Sequence, residues 1–169
     1  RPVDSDADES PESKKAKHVN IADFFSPEAL KAFENSFLEC LKKGTTQIST
    51  TELFLALIKL PQRESMFMRL GIVTPTIEQR ISKISPASGT VGGVEPVVSA
   101  EVWETLFNSF KRAAAGGYEN VHAIEILLST VEKDKKLQDV LYELGVENQK
   151  LTNVVEWVRI REKLRERYL

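Results

Sequence analysis

Few side chains in this chain are placed to do chemistry. Glu52 and Glu125 are the tempting pair, because each stands at the same place in one of two similar helix-opening sequences. Two readings are open for them. As third residues of their own helices they cap backbone donors and meet the favourable end of the macrodipole. As free carboxylates they accept a cationic group of a bound peptide, one site per copy. His18 and His122 stand alone, with no HExxH spacing, which argues against zinc. His122 reads instead as a poor cap where the earlier copy has Ser49, and Cys40, on an apolar stripe, reads as a small core residue rather than a nucleophile. Gly89, Gly92 and Gly93 have no preceding strand and no lysine at P-loop spacing, so they do not cradle a phosphate. With GxSxG also missing, no catalytic residue, metal or cofactor is expected, and the chain is read as a non-enzyme.

The chain has 169 residues, 41% hydrophobic and 28% charged, enough to bury a core without disulfide or metal staples. Its 23 basic and 25 acidic residues leave a net charge of −2, too even to steer the chain toward nucleic acid or anionic lipid. A single cysteine suits a reducing compartment, so a cytoplasmic location is expected. The best apolar run, Leu53 to Leu60, contains Lys59 and falls far short of the roughly 20 residues of a membrane span. The sequence opens on Arg1 without a methionine or a signal segment and reads as part of a longer protein, with an anchor upstream left open.

The elements that must position these residues follow from periodicity. Residues 1–20 carry Asp4, Asp6, Asp8, Glu9 and Glu12, then Lys14, Lys15 and Lys17, and read as a disordered linker. From Phe24 onward the period is helical: Leu30, Phe33, Phe37, Cys40 and Leu41 make one stripe of a helix over Pro27–Lys43, capped by Ser26 and closed by Gly44. Ser49 and Glu52 have capping-box spacing and open a second, strongly apolar helix that Pro61 stops. A short helix ends at Leu70 before Gly71, with one of Met66 and Met68 turned inward and the other outward. Thr74 with Pro75 starts another helix through Ile77, Ile81 and Ile84. The glycines and prolines of residues 85–97 make a flexible connector. The last helix has a core stripe of Leu151, Val154, Val155 and Val158, then a charged extension through Arg159, Arg161, Lys163, Arg165 and Arg167 that points toward a following domain.

An internal repeat organises the whole. A shift of 73 residues places Ser26 on Ser99, Glu28 on Glu101, Phe37 on Phe110, Gly44 on Gly117, Ile48 on Val121, Glu52 on Glu125 and Leu55 on Leu128. One inserted residue later, Leu70 and Gly71 fall on Leu144 and Gly145. A four-helix motif is thus used twice, over 24–84 and 98–165, and the matched positions are mostly apolar. The two copies are expected to share one core about a pseudo-twofold axis, as one monomeric domain over 24–165.

The run Phe25-Ser26-Pro27-Glu28-Ala29, then Gly44 to Thr50, Leu53-Phe54-Leu55-Ala56-Leu57 and Leu70-Gly71-Ile72, answered by Ser99-Ala100-Glu101-Val102, Gly117 to Val121, Ile126-Leu127-Leu128 and Leu144-Gly145-Val146, resembles the tandem repeat of Clp unfoldase N-terminal domains of the A, B and C types. The resemblance implies an all-α module of eight helices, mounted on a ring-forming AAA+ chaperone that disaggregates proteins or feeds a ClpP-type peptidase. It implies a substrate- and adaptor-binding role, with unfolded or tagged proteins and an adaptor as partners. ATP and magnesium would belong to ATPase domains downstream, since GxxxxGK[ST] is absent here. A free-standing Clp-repeat adaptor without an ATPase is the alternative.

In the C type of this family the helix start commonly reads Thr-Glu-His, and its glutamate helps recognise phosphorylated arginine. The matching positions here are Thr51 and Ile124, with Glu52 and Glu125 one place later, so weak or absent phosphoarginine binding is expected. The helix starts of Ser26 with Thr51 and Glu52, and of Ser99 with Ile124 and Glu125, are the candidate peptide- and adaptor-binding positions.

Overall fold

A computed structural model describes residues 20–61, 63–85 and 94–168. The linker over residues 1–19, with His18, and the connector glycines lie outside the described residues. The described residues form eight α-helices: α1 (Pro27–Lys43), α2 (Thr50–Ile58), α3 (Arg63–Arg69), α4 (Thr74–Ser82), α5 (Ala100–Ala115), α6 (Ala123–Lys133), α7 (Lys135–Glu143) and α8 (Asn148–Tyr168). A 3-10 turn at Ile21–Phe24 leads into α1.

The caps act as their residue types require. The backbone N–H of Ala29 donates to Ser26 Oγ (3.2 Å), that of Glu52 to Ser49 Oγ (3.3 Å) and that of Val102 to Ser99 Oγ (3.3 Å). His122 starts α6 with no side-chain cap bond. Gly44 closes α1 at φ 67°, a left-handed conformation in which a side chain is strained, and its repeat mate Gly117 sits at φ 73°. The α4 start differs from expectation. Val73, not Thr74, is the N-cap, so Pro75 falls at the second helical position, where no intrahelical N–H bond is lost. Ile84 then lies beyond the helix end but still packs on the core.

Helices α2 and α6 are the centre of the molecule. All of α2 is buried, as is α6 from Ala123 to Val131, and the two pack on each other with α1 against α2 and α5 against α6. The stripe expected on α1 is rotated. Ala29, Ala32, Ser36 and Cys40 face inward, while Leu30 and Leu41 are exposed and Phe33 and Phe37 are only half-buried. Small side chains let the α1 backbone approach a helix that is apolar all round, and the large ones are left to flank the contact. Cys40 is fully buried, and burial pushes its thiol pKa up, as suits a core residue. Met66 points inward and Met68 outward. On α8, Leu151 and Val155 are buried, with Val154 and Val158 packed beside them.

Two short strands, which helical periodicity did not announce, join the copies. β1 (Gln47–Ile48) pairs in parallel with β2 (Val97–Val98), Gln47 opposite Val97 and Ile48 opposite Val98. The Ser99 N–H donates to the Ile48 carbonyl at 3.1 Å. Shifting both partners by the repeat length gives the second crossing, where the Ser26 N–H donates to the Val121 carbonyl at 2.9 Å, beside a Phe25–Val121 bridge. Each copy therefore ties the start of its first helix to the other copy's second helix. This is the exchange that a pseudo-twofold axis requires.

A further bond crosses the copies: Thr50 Oγ1 donates to Asp134 Oδ2 (2.6 Å), while Asp134 Oδ1 accepts from the N–H groups of Lys136 (2.9 Å) and Leu137 (3.4 Å) at the start of α7. Asp134→Ala removes a cap and leaves the Thr50 hydroxyl unpaired. It is expected to cost about 2 kcal/mol in urea denaturation, near the top of the range for a cap. A loss below about 0.5 kcal/mol would mean that the bond contributes nothing across the copies.

Candidate functional site

The six residues singled out from the sequence all lie at helix starts, and none is exposed. Ser26 and Ser99 have their hydroxyl oxygens engaged as caps. Thr51 and Ile124 are the second residues of α2 and α6, and both are buried. The backbone hydrogen bonds of the helix starts cross between the copies. In backbone hydrogen bonding Ser26 joins the start of α6, and Ser99 joins the start of α2, rather than each joining the second helix of its own copy.

The two glutamates have found partners inside the protein, and neither matches the reciprocal capping box. Glu52, with 2% of its side chain exposed, lies 3.5 Å from Lys43 Nζ and accepts from Ser85 Oγ at 3.3 Å. It lines one end of a depression of about 480 Å³ between α1 and α2, beside Leu38, Leu41 and Lys59. Glu125, at 1%, accepts from Arg159 Nη2 of α8. Arg159 also donates to Glu156 at 2.7 Å and lies over the Tyr118 ring. Burial pulls the Arg159 pKa down, but the hydrogen bond and charge of Glu125 outweigh that and leave it raised. The sequence had read Arg159 as part of a charged extension. A partner 34 residues away leaves no periodic signal.

An exposed apolar surface on α5 was not singled out from the sequence. On α5, Val102, Thr105, Leu106, Ser109 and Ala113 face the core, while Trp103 (50% exposed), Phe107 (61%) and Phe110 stand outside. With Ile21 and Phe24 of the 3-10 turn they wall an apolar groove of about 350 Å³. Phe24 meets Phe110 edge to face at 5.5 Å between ring centroids. A neighbouring hollow of about 380 Å³ shares Ile21, Trp103 and Leu106 and extends the apolar surface to Leu30, Phe33 and Val98. The spacing 103, 107, 110 is helical and was legible; its outward direction was not. No group of metal-ligating side chains occurs among the described residues, and none of their helices is long and apolar enough to cross a membrane.

No protein-family profile and no curated protein sequence matches the chain. Solved structures do match it. The Hsp104 N-terminal domain from Candida albicans superposes with a TM-score of 0.70 at 18% identity, over 80% of this chain and 91% of that one. The N-terminal domain of the Arabidopsis thaliana chaperone ClpD, associated with caseinolytic protease, gives 0.65 at 17%, over 85% and 99%. A ClpV N-domain in complex with a VipB peptide gives 0.64 at 12%, over 80% and 89%. These likenesses run through nearly the whole of each neighbour and through both copies of the repeat, so the chain has the all-α fold of the N-terminal domains of Clp-type ATPases.

Proposed function

We propose that this chain is a non-catalytic binding module that holds an apolar segment of a protein, a substrate or an adaptor, for a Clp-type unfoldase. The observation that carries the reading is the groove of Trp103, Phe107, Phe110, Ile21 and Phe24, a contiguous apolar surface on a domain whose core is otherwise closed. Rigid aromatic side chains are the residues from which binding hot spots are most often made. The peptide complex of a ClpV N-domain supports a protein ligand. Ser26 and Ser99 enter as the caps that start α1 and α5, the two helices whose outer side chains wall the surface. Thr51, Ile124, Glu52 and Glu125 lie in the buried first turns of α2 and α6, with Glu52 also reaching the α1–α2 depression. Coupling to an AAA+ ring and to a ClpP-type peptidase belongs to this reading as the destination of the captured chain.

The test is fluorescence anisotropy with labelled, reduced and carboxymethylated lactalbumin as a permanently unfolded probe. Trp103→Ala with Phe107→Ala is expected to weaken binding about tenfold or more, while leaving the melting temperature nearly unchanged because both side chains are half-exposed. Unaltered affinity in that variant would remove the groove from the reading.

A further inference from the structure

A second concave surface, with the opposite chemistry, lies between α3 and α8. It is a cavity of about 380 Å³ lined by Arg63, Arg69, Arg161 and Arg165, with Trp157 in its wall and Glu162 as its one acidic residue. Two of the guanidiniums are gathered on a single indole: Arg69 Cζ lies 3.6 Å from the Trp157 ring centroid and Arg161 Cζ 5.1 Å from it.

Three of the four lining arginines hold no carboxylate among the described residues, whereas Arg63 pairs with Glu28. Arg80, Arg112 and Arg159 each hold a carboxylate, on Glu143, Glu132 and Glu125. Arg69, Arg161 and Arg165 hold none among the described residues. Arg63 is deeply buried, with one nitrogen 3.3 Å from Glu28 and a buried Nε that has no partner. Like charges placed four apart on one helix, as Arg161 and Arg165 are, repel. An arginine-lined hollow with Glu162 as its only acid, and with Arg69, Arg161 and Arg165 holding no carboxylate among the described residues, has the character of a site without its counter-ion.

We infer that this cavity is a binding site for an acidic peptide segment of a protein partner, separate from the aromatic groove. Guanidinium forks match carboxylate oxygens in pairs, which sets the charge class of the ligand. The space is larger than one inorganic anion, and Met66 and Val158 put apolar surface between the charges, which suits acidic residues interleaved with apolar ones. A nucleic acid is the poorer fit, because the chain as a whole carries a net charge of −2.

A labelled peptide alternating glutamate with leucine, titrated into the full chain, tests the inference. It is expected to bind, to weaken as salt is raised, and to lose about tenfold or more in affinity in Arg69→Ala with Arg161→Ala. Both side chains are exposed, so folding is not at stake. Lys31→Ala, at an exposed ion pair with Glu34, is expected to change nothing, and so is the Trp103 and Phe107 double variant, which separates this site from the groove. Equal binding by the arginine variant would overturn the inference, as would tighter binding of a single-stranded oligonucleotide or of free phosphate. A full chain with amides at Asp4, Asp6, Asp8, Glu9 and Glu12 supplies the last arm. If only that variant bound the peptide, the cavity would belong to the chain's own acidic segment and the inference would fail.

Discussion

Replacing Glu125 by alanine is expected to lower the unfolding free energy by about 3 kcal/mol, because it leaves the Arg159 guanidinium packed against the protein with its main partner gone. The value sits at the low end for a broken buried pair, since Arg159 keeps Glu156 as a second partner. Arg159→Met strands the fully buried Glu125 carboxylate and is expected to cost at least as much. The double variant removes both charges and should recover much of the loss, so the two effects will not add. A urea double-mutant cycle reads this directly, and strict additivity would show that the pair does not act as a pair. The raised Arg159 pKa fixes the sign of the pH dependence. A folded-state value above the unfolded one means that the contribution is complete below the unfolded value, at ordinary pH, and is lost only in strong alkali. Holding α8 to the start of α6 is therefore insensitive to pH on the arginine side.

Phe54→Ala is the second large effect. Phe54 is fully buried in α2 and meets Phe67 of α3 edge to face at 6.5 Å between centroids. Truncating a phenylalanine in such a place leaves a cavity and costs about 3–5 kcal/mol. For a domain of this size that corresponds to a fall in melting temperature of roughly 10 °C, in one transition because the copies share the core. Phe107→Ala, at the exposed end of the range, is expected to stay within about 0.5 kcal/mol. Similar losses for the two variants in calorimetry would mean that the burial assigned to α2 is wrong.

The caps and the repeat were legible because they are local or self-referential. Ser26, Ser49 and Ser99 accept the bonds that their spacing announced, and Gly44 and Gly117 take the left-handed turns that their matched positions imply. What periodicity could not supply was direction. On α1 the stripe of large apolar residues and the row of Ala29, Ala32, Ser36 and Cys40 lie side by side, and the row of small residues faces inward because the neighbouring helix comes close. On α5 the same ambiguity concealed the exposed aromatic surface, since Trp103, Phe107 and Phe110 have the spacing of a core face and stand in solvent. The internal partners of Glu52 and Glu125 were out of reach for another reason. Lys43, Ser85 and Arg159 are joined to them by the path of the chain in space, and charge pairs distant in sequence carry no pattern.

The crossed hydrogen bonds at the helix starts bear on how the molecule is made. The start of α1 waits for the carbonyl of Val121, and β1 waits for β2, so neither crossing can close while only the first copy has left the ribosome. During that interval α2, buried on every side in the finished fold and apolar from Leu53 to Ile58, has α1 to cover it but not α6. Contacts of such long sequence separation form late and slow the search for the native state. The chain must pass, during its own synthesis, through a stage in which it displays an apolar helix, and its yield in a cell will depend on how quickly the second copy follows the first.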